Sequence, residues 1–350
     1  MKFRLDALHC FFIILFAGHF VAFAQEHPWN GALPQVKGNF GLVPEKFQNY
    51  DVILKPDQEK PQWWAGAPSV IRDGNGIFWL ACRMRSTDQP RGKRGYEVRI
   101  LNSKDGVHFT KVLSIPRQAV PIPGFERPVL LIDPMTKKFK LYLCGPWHDG
   151  PWSILKLQDV NNPKDFDPKS AYVVIKPFPK TFDRDITVLE YKDPYIIYAD
   201  GYFHCYVTGY VRQNERLFHF RSVDGESWEP VGDPKKPIMD LSGWHDFFVR
   251  PGSVLPLGVG YLFFYEGSSI QWYDPVYNIA TGVGFTFDLH HIIDLTPNSP
   301  LIVSTTPTRF YTWRYSQFMW VDHELWVYAE VATKKQTKEI RLFRIPIDGK

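Results

Sequence analysis

The chain has 350 residues, 22% of them charged, and a formal net charge of +4 at pH 7. Its basic residues are scattered, with only short pairs at Lys137-Lys138 and Lys334-Lys335, so no basic stripe points to nucleic acid. Aromatic residues make up 16%, there are 25 glycines and 29 prolines, and long amphipathic helical stretches are absent. That composition excludes a helical bundle and favours an all-β fold with many tight turns.

Lys2 and Arg4 open the chain, an almost wholly apolar run follows from Cys10 to Phe23, and Ala22-Phe23-Ala24 ends it. A basic, then apolar, then small-residue order is an export signal, with cleavage expected after Ala24. The run is short for a membrane span. Residues 25–350 are therefore expected to form a single domain with no membrane segment, secreted or periplasmic. Cys82, Cys144 and Cys205 each sit in an apolar, strand-like run. Buried free thiols are the simpler reading; an oxidising compartment leaves one disulfide open.

Beyond the leader, short β-rich runs repeat. Trp63-Trp64 precede Ala67-Pro68-Ser69-Val70-Ile71, a turn at Asp73-Gly74 and a strand from Ile77 to Cys82. Ser103-Lys104-Asp105-Gly106-Val107-His108-Phe109 then gives a hairpin turn and an aromatic leading an outer strand. The first element returns as Glu126-Arg127-Pro128-Val129-Leu130-Leu131, with a turn at Asp133-Pro134 and a strand from Phe139 to Cys144. The third unit has two readings. Its inner strand is either Arg184-Asp185-Ile186-Thr187-Val188-Leu189 or Asp193-Pro194-Tyr195-Ile196-Ile197-Tyr198. Ser222-Val223-Asp224-Gly225-Glu226-Ser227-Trp228 repeats the turn element 119 residues after its first copy. Arg250-Pro251-Gly252-Ser253-Val254-Leu255 opens a fourth unit, and Ser316-Gln317-Phe318-Met319-Trp320-Val321 a fifth. Five units of about 60 residues predict a five-bladed β-propeller, within the usual range of about 4 to 8 blades.

Inner strands of a propeller line a central channel, so residues at their starts converge on one mouth. Those places hold Glu126, Arg127, Asp185 or Asp193, and Arg250, with His245 and Asp246 just upstream. Clustered carboxylates suit glycosidic cleavage: one holds a proton for the leaving oxygen, and another stays ionised. Glu126, Asp193, Asp185 and Asp246 are the candidate catalytic acids. Arg127, Arg184, His245, Arg250 and Glu266 are candidate ligands for sugar hydroxyls or an anion. Trp63 and Trp64 are candidate stacking platforms, and Trp147, His148 and Trp152 candidate rim residues.

Several stretches resemble known families. Asp193-Pro194-Tyr195-Ile196 with Asp200-Gly201-Tyr202-Phe203 resembles the D-P-x-aliphatic and D-G-x-aromatic element of glycoside hydrolase family 43, and Ala67-Pro68-Ser69 that family's first-blade element. Glu126-Arg127-Pro128 and Arg184-Asp185-Ile186-Thr187 are similar to elements of its galactanase-like branch. The stretch from Arg250 through Gly267 to Asp288 is similar to mannoside phosphorylase family 130. The resemblance implies a carbohydrate substrate and hydrolysis with water as nucleophile. It also marks departures. Ala67 stands where family 43 carries a general-base Asp, as in the galactanase-like branch, and Arg250 stands where its general acid is found. The family 130 likeness implies phosphorolysis instead, with Arg127, His245 and Arg250 as phosphate ligands. A non-catalytic glycan-binding propeller is the third reading. Some relatives hold a divalent cation such as calcium in the channel, but no ligand cluster in this sequence demands a cofactor.

Overall fold

The computed structural model describes residues 47–177, 188–211, 214–304, 306 and 308–346. Within them the chain builds β-strands joined by turns and short 3-10 segments. Four consecutive strands make one antiparallel sheet, and the pattern recurs in chain order. The first sheet holds β2 (Trp64–Arg72), β3 (Phe78–Arg85), β4 (Gly95–Ser103) and β5 (Thr110–Pro116). The second holds β6 (Val129–Ile132), β7 (Phe139–Pro146), β8 (Trp152–Lys156) and β9 (Tyr172–Ile175). The third holds β10 (Tyr191–Ala199), β11 (Tyr202–Val211), β12 (Asn214–Ser222) and β13 (Glu229–Pro230). The fourth holds β14 (Phe248–Pro256), β15 (Tyr261–Ser268), β16 (Ala280–Thr286) and β17 (Ile293–Asp294). The fifth combines β18 (Trp313–Val321), β19 (Glu324–Ala332) and β20 (Lys338–Pro346) with β1 (Asp51–Leu54).

The first strand of each sheet touches the first strand of the next, from β2 through β6, β10, β14 and β18 and back to β2. These sheets are thus blades of a β-propeller arranged in a ring. Closure joins the two ends of the described chain. β1 pairs antiparallel with β20, Asp51 opposite Leu342, so one blade is built from both ends. A parallel bridge between Trp64 and Lys338 ties that blade to the first.

Blades stack face to face, so strands in the middle of a blade are covered on both faces. β3 and β7 are buried at every residue, while the outermost β5 and β9 each have a single buried residue. An apolar cluster fills each of the five seams. Leu141 and Ile100 meet between blades one and two, and Cys144 and Cys205 sit in the next seam. Trp313 and Phe264 share another. Cys82, Cys144 and Cys205 are buried free thiols.

The repeated turn element has a structural task. The Asp105 carboxylate accepts the backbone N–H groups of Val107 and His108, and Asp224 does the same for Glu226 and Ser227. This holds Gly106 and Gly225 at φ +73°. The carbonyls of those glycines then accept hydrogen bonds from Tyr328 and Tyr142 of the preceding blades, both at 2.7 Å. A third copy lies at Thr286-Phe287-Asp288, where Leu289 takes φ +65° and its carbonyl accepts from Tyr206 at 2.6 Å. Blade three settles on the second of its two readings: β10 runs from Tyr191 and contains Asp193.

Candidate active site

Inner strands open with a break in register. It falls between Gly66 and Ser69, Lys192 and Tyr195, Pro251 and Ser253, and Arg314 and Gln317. Ala67, Asp193 and Tyr315 carry the bulge at φ +53°, +53° and +51°. Bulges re-aim side chains beside functional sites, and non-glycine residues at positive φ are strained by about 1–3 kcal/mol each. The residue just before the bulge is Gly66, Lys192 or Arg314; Arg250 stands one residue further back in β14, and Glu126 lies ahead of β6. Across the ladder these residues face Arg83, Thr208, Glu266, Glu330 and, for Glu126, Cys144.

Four of these five residues, Glu126, Lys192, Arg250 and Arg314, line a cavity of about 440 Å³ together with Asp193 and Tyr315. Gly66 does not, because a Cβ there would overlap the carboxylate of Glu330. Glu330 is fully buried and accepts the N–H of Ala67 at 3.0 Å and Arg83 Nη2 at 3.0 Å. A carboxylate from blade five thus stands beside Ala67 on blade one.

The cavity acids are held in different states. Glu126 is ion-paired to Arg83. Burial acts to raise its pKa, but Arg83, Arg85, Arg314 and Lys192 outweigh it and bring the carboxyl down to about 2. Asp193 goes the other way. Burial, reinforced by the charge of Glu126, pushes it above the usual carboxylate range despite Lys192, Arg314 and Arg250. Its Oδ1 accepts from the Tyr315 hydroxyl at 3.0 Å and the Arg127 N–H at 3.4 Å, and its own N–H donates to Cys144 Sγ at 3.3 Å. Two carboxyls on one cavity are therefore shifted in opposite directions, Glu126 down by its cations and Asp193 up by burial. Glu215 bridges Lys192 and Arg250; burial opposes its ionisation, but those two cations bring it down to about 2. Trp152, Tyr210 and Tyr277 add aromatic surface to the same walls.

Other candidates fall elsewhere. Arg127 is buried and donates to the carbonyls of Pro251 and Gly252 at 2.9 and 2.8 Å, fastening blade two to blade four. His245 is sealed against Trp244 and Tyr265, with Nε2 3.0 Å from Asp294. Asp246 accepts the N–H of Ile270 at 2.8 Å, a loop-bracing contact. Glu266 is fully buried, accepts the Tyr315 N–H, and is pushed up to about 7 by burial despite three nearby arginines. Trp63 packs on Tyr96, and Trp64 lies beneath Arg85 and Lys338. None of these six lines the cavity. Of the rim candidates Trp152 does, and Trp147 and His148 do not. Arg184 and Asp185 lie outside the described residues. The cavity residues not singled out from the sequence are Arg85, Arg91, Gly92, Glu190, Lys192, Tyr210, Glu215, Val276, Tyr277, Arg314 and Tyr315. Lys192 and Arg314 occupy the repeat position of Arg250, so aligning all five units would have found them. Glu215, in the third strand of its blade, carries no such signal.

A channel cation does not fit these residues. Among the described residues no group of three or more His, Cys, Asp or Glu side chains is placed to hold a metal, and Glu126 and Glu215 are already engaged by Arg83, Lys192 and Arg250.

No protein-family model and no curated protein sequence matches this chain. Its fold is nevertheless shared with solved structures. A glycosyl hydrolase from Bacteroides ovatus is 14% identical, with a TM-score of 0.62 over 85% of this chain and 96% of that one. A β-1,2-mannobiose phosphorylase from Listeria innocua is 15% identical, with a TM-score of 0.58 over 84% and 94%. A thermostable family-43 glycoside hydrolase is 15% identical, with a TM-score of 0.55 over 83% and 91%. At these identities the likeness establishes the propeller fold.

Proposed function

We propose that this protein is an exported glycosidase whose acid–base pair is Asp193 and Glu126. The observation that carries the reading is that these two carboxyls line one cavity and are shifted in opposite directions, Glu126 toward the ionised form by its cations and Asp193 toward the protonated form by burial. Asp193 gives its proton to the glycosidic oxygen as the C–O bond breaks. Water adds to the anomeric carbon and gives its proton to Glu126. Aromatic walls and the shared fold with glycoside hydrolases support a sugar occupant. Export rests on the basic, apolar and small-residue order of residues 2–24.

The test is reducing-end release from a panel of plant and algal oligosaccharides, without phosphate. Asp193→Asn and Glu126→Gln should each lower turnover by about 10²–10⁴-fold. Hydrolysis unchanged in both variants contradicts the proposal. The cations Lys192, Arg250 and Arg314 on the same cavity favour a second reading, phosphorolysis, which strict dependence of cleavage on added phosphate would establish. Binding without turnover would leave a glycan-binding propeller.

A further inference from the structure

On the blade-one side of the cavity, one cation has no hydrogen-bonded acid partner among the described residues and feels the attraction of Glu126 only at longer range. Arg85 ends β3, lines the cavity and is 5% exposed. Its guanidinium lies 3.7 Å from the centroid of the Trp64 ring, which fixes its plane from below. Its side chain makes no hydrogen bond or ion pair with any described residue, and its Nε is buried and unpartnered. Neighbouring cations differ. Arg83 is paired with Glu126 and Glu330, and Lys192 and Arg250 share Glu215. Arg314 lines the same cavity, with Nε 3.8 Å from Glu330. Arg91 also lines it, over the Tyr277 ring at 5.1 Å and with no ion pair to a described residue. Burial brings the Arg85 guanidinium down to about 10, so this environment resists its charge.

A buried charge without a partner is unfavourable, and one facing a ligand-sized cavity points to a ligand of opposite sign. We infer that Arg85, flanked by Arg91 and Arg314, binds an anionic group carried by the sugar itself, best matched by the carboxylate of a uronic acid. A planar guanidinium offers two parallel N–H donors to a carboxylate, and stacking on Trp64 holds that fork in place. The inference rests on the cavity being the sugar site.

The experiment is titration calorimetry of the purified protein with D-glucuronate and D-galacturonate. Controls are D-glucose and D-galactose, and inorganic phosphate and sulfate as ions alone. At least one uronate should bind tenfold or more tightly than its neutral parent and than either ion. Arg85→Gln should abolish that preference, and Arg85→Lys should recover only part of it. Arg91→Gln, at an exposed position where folding is not at stake, should weaken uronate binding several-fold. Equal binding of uronate and neutral sugar, indifference to all three variants, or no binding by any probe overturns the inference. Phosphate or sulfate binding as tightly as uronate also overturns it, by placing the charge on a free ion. The two proposals fail separately. Cleavage of neutral glycans that is lost in Asp193→Asn but unchanged in Arg85→Gln removes the uronate subsite and keeps the glycosidase. Uronate preference in a protein that cleaves nothing does the reverse.

Discussion

Single carboxyls in this protein respond to pH with opposite signs. Glu126 and Glu215, both near 2, are ionised in the fold more readily than in the unfolded chain. Their contribution is present above the usual carboxylate range and is lost as pH falls toward 2. Glu266 behaves conversely, because burial raises it to about 7. Its folded form binds a proton that the unfolded chain releases, so stability is complete below about pH 4.5 and declines as pH rises through 7. That decline is about 3 kcal/mol. Glu266→Gln keeps an acceptor for the Tyr315 N–H and should flatten this limb in urea melts between pH 4.5 and 7.5. An unchanged slope would show that Glu266 is not the titrating group. Asp193 was half legible in the sequence: Asp-Pro opening a strand-like run with a Gly turn after it made it a candidate, on a par with Asp185. The roles of Arg127 and His245 were not legible, because a buried arginine serving two backbone carbonyls reads the same, in one dimension, as a ligand at a channel mouth.

Among elements, the Asp-Gly turn was read as a hairpin signal and proves to be an inter-blade fastener. Its third copy carries no matching sequence motif, because Thr286 and Leu289 replace serine and glycine. What is repeated there is a backbone conformation and a carbonyl facing a tyrosine of the preceding blade. Gly106 sits at φ +73° against Trp326 and Tyr328, so Gly106→Ala combines backbone strain with overlap. It should lose about 2 kcal/mol or more in chemical denaturation. Gly74 has nothing within 4 Å of a built Cβ and no positive φ, so Gly74→Ala should be nearly neutral. Equal losses at the two glycines would refute the fastening role. The bulges that open the inner strands had no sequence signature beyond the small or proline residues beside them, yet they place Lys192 and Arg314.

At the scale of the molecule, five evenly spaced strand starts carried the propeller, but its closure was invisible. β1 is only Asp51–Leu54, and its partner β20 lies at the other end of the described chain. Ile53 joins the apolar seam between blades five and one. Ile53→Ala should cost about 2–4 kcal/mol, and hydrogen exchange should rise first in β20 and β2. A loss spread evenly over all five blades would contradict closure by this strand. The same ring brings Glu126 of blade two and Asp193 of blade three to one cavity. Carboxyl ¹³C titration of both groups, assigned by difference against Glu126→Gln and Asp193→Asn, measures their division directly. Asp193 should release its proton above the usual carboxylate range and titrate lower once Glu126 is replaced, while Glu126 stays ionised down to about pH 3. Asp193 titrating in or below the ordinary range, indifferent to Glu126→Gln, would contradict the acid–base pair on which the proposed function stands.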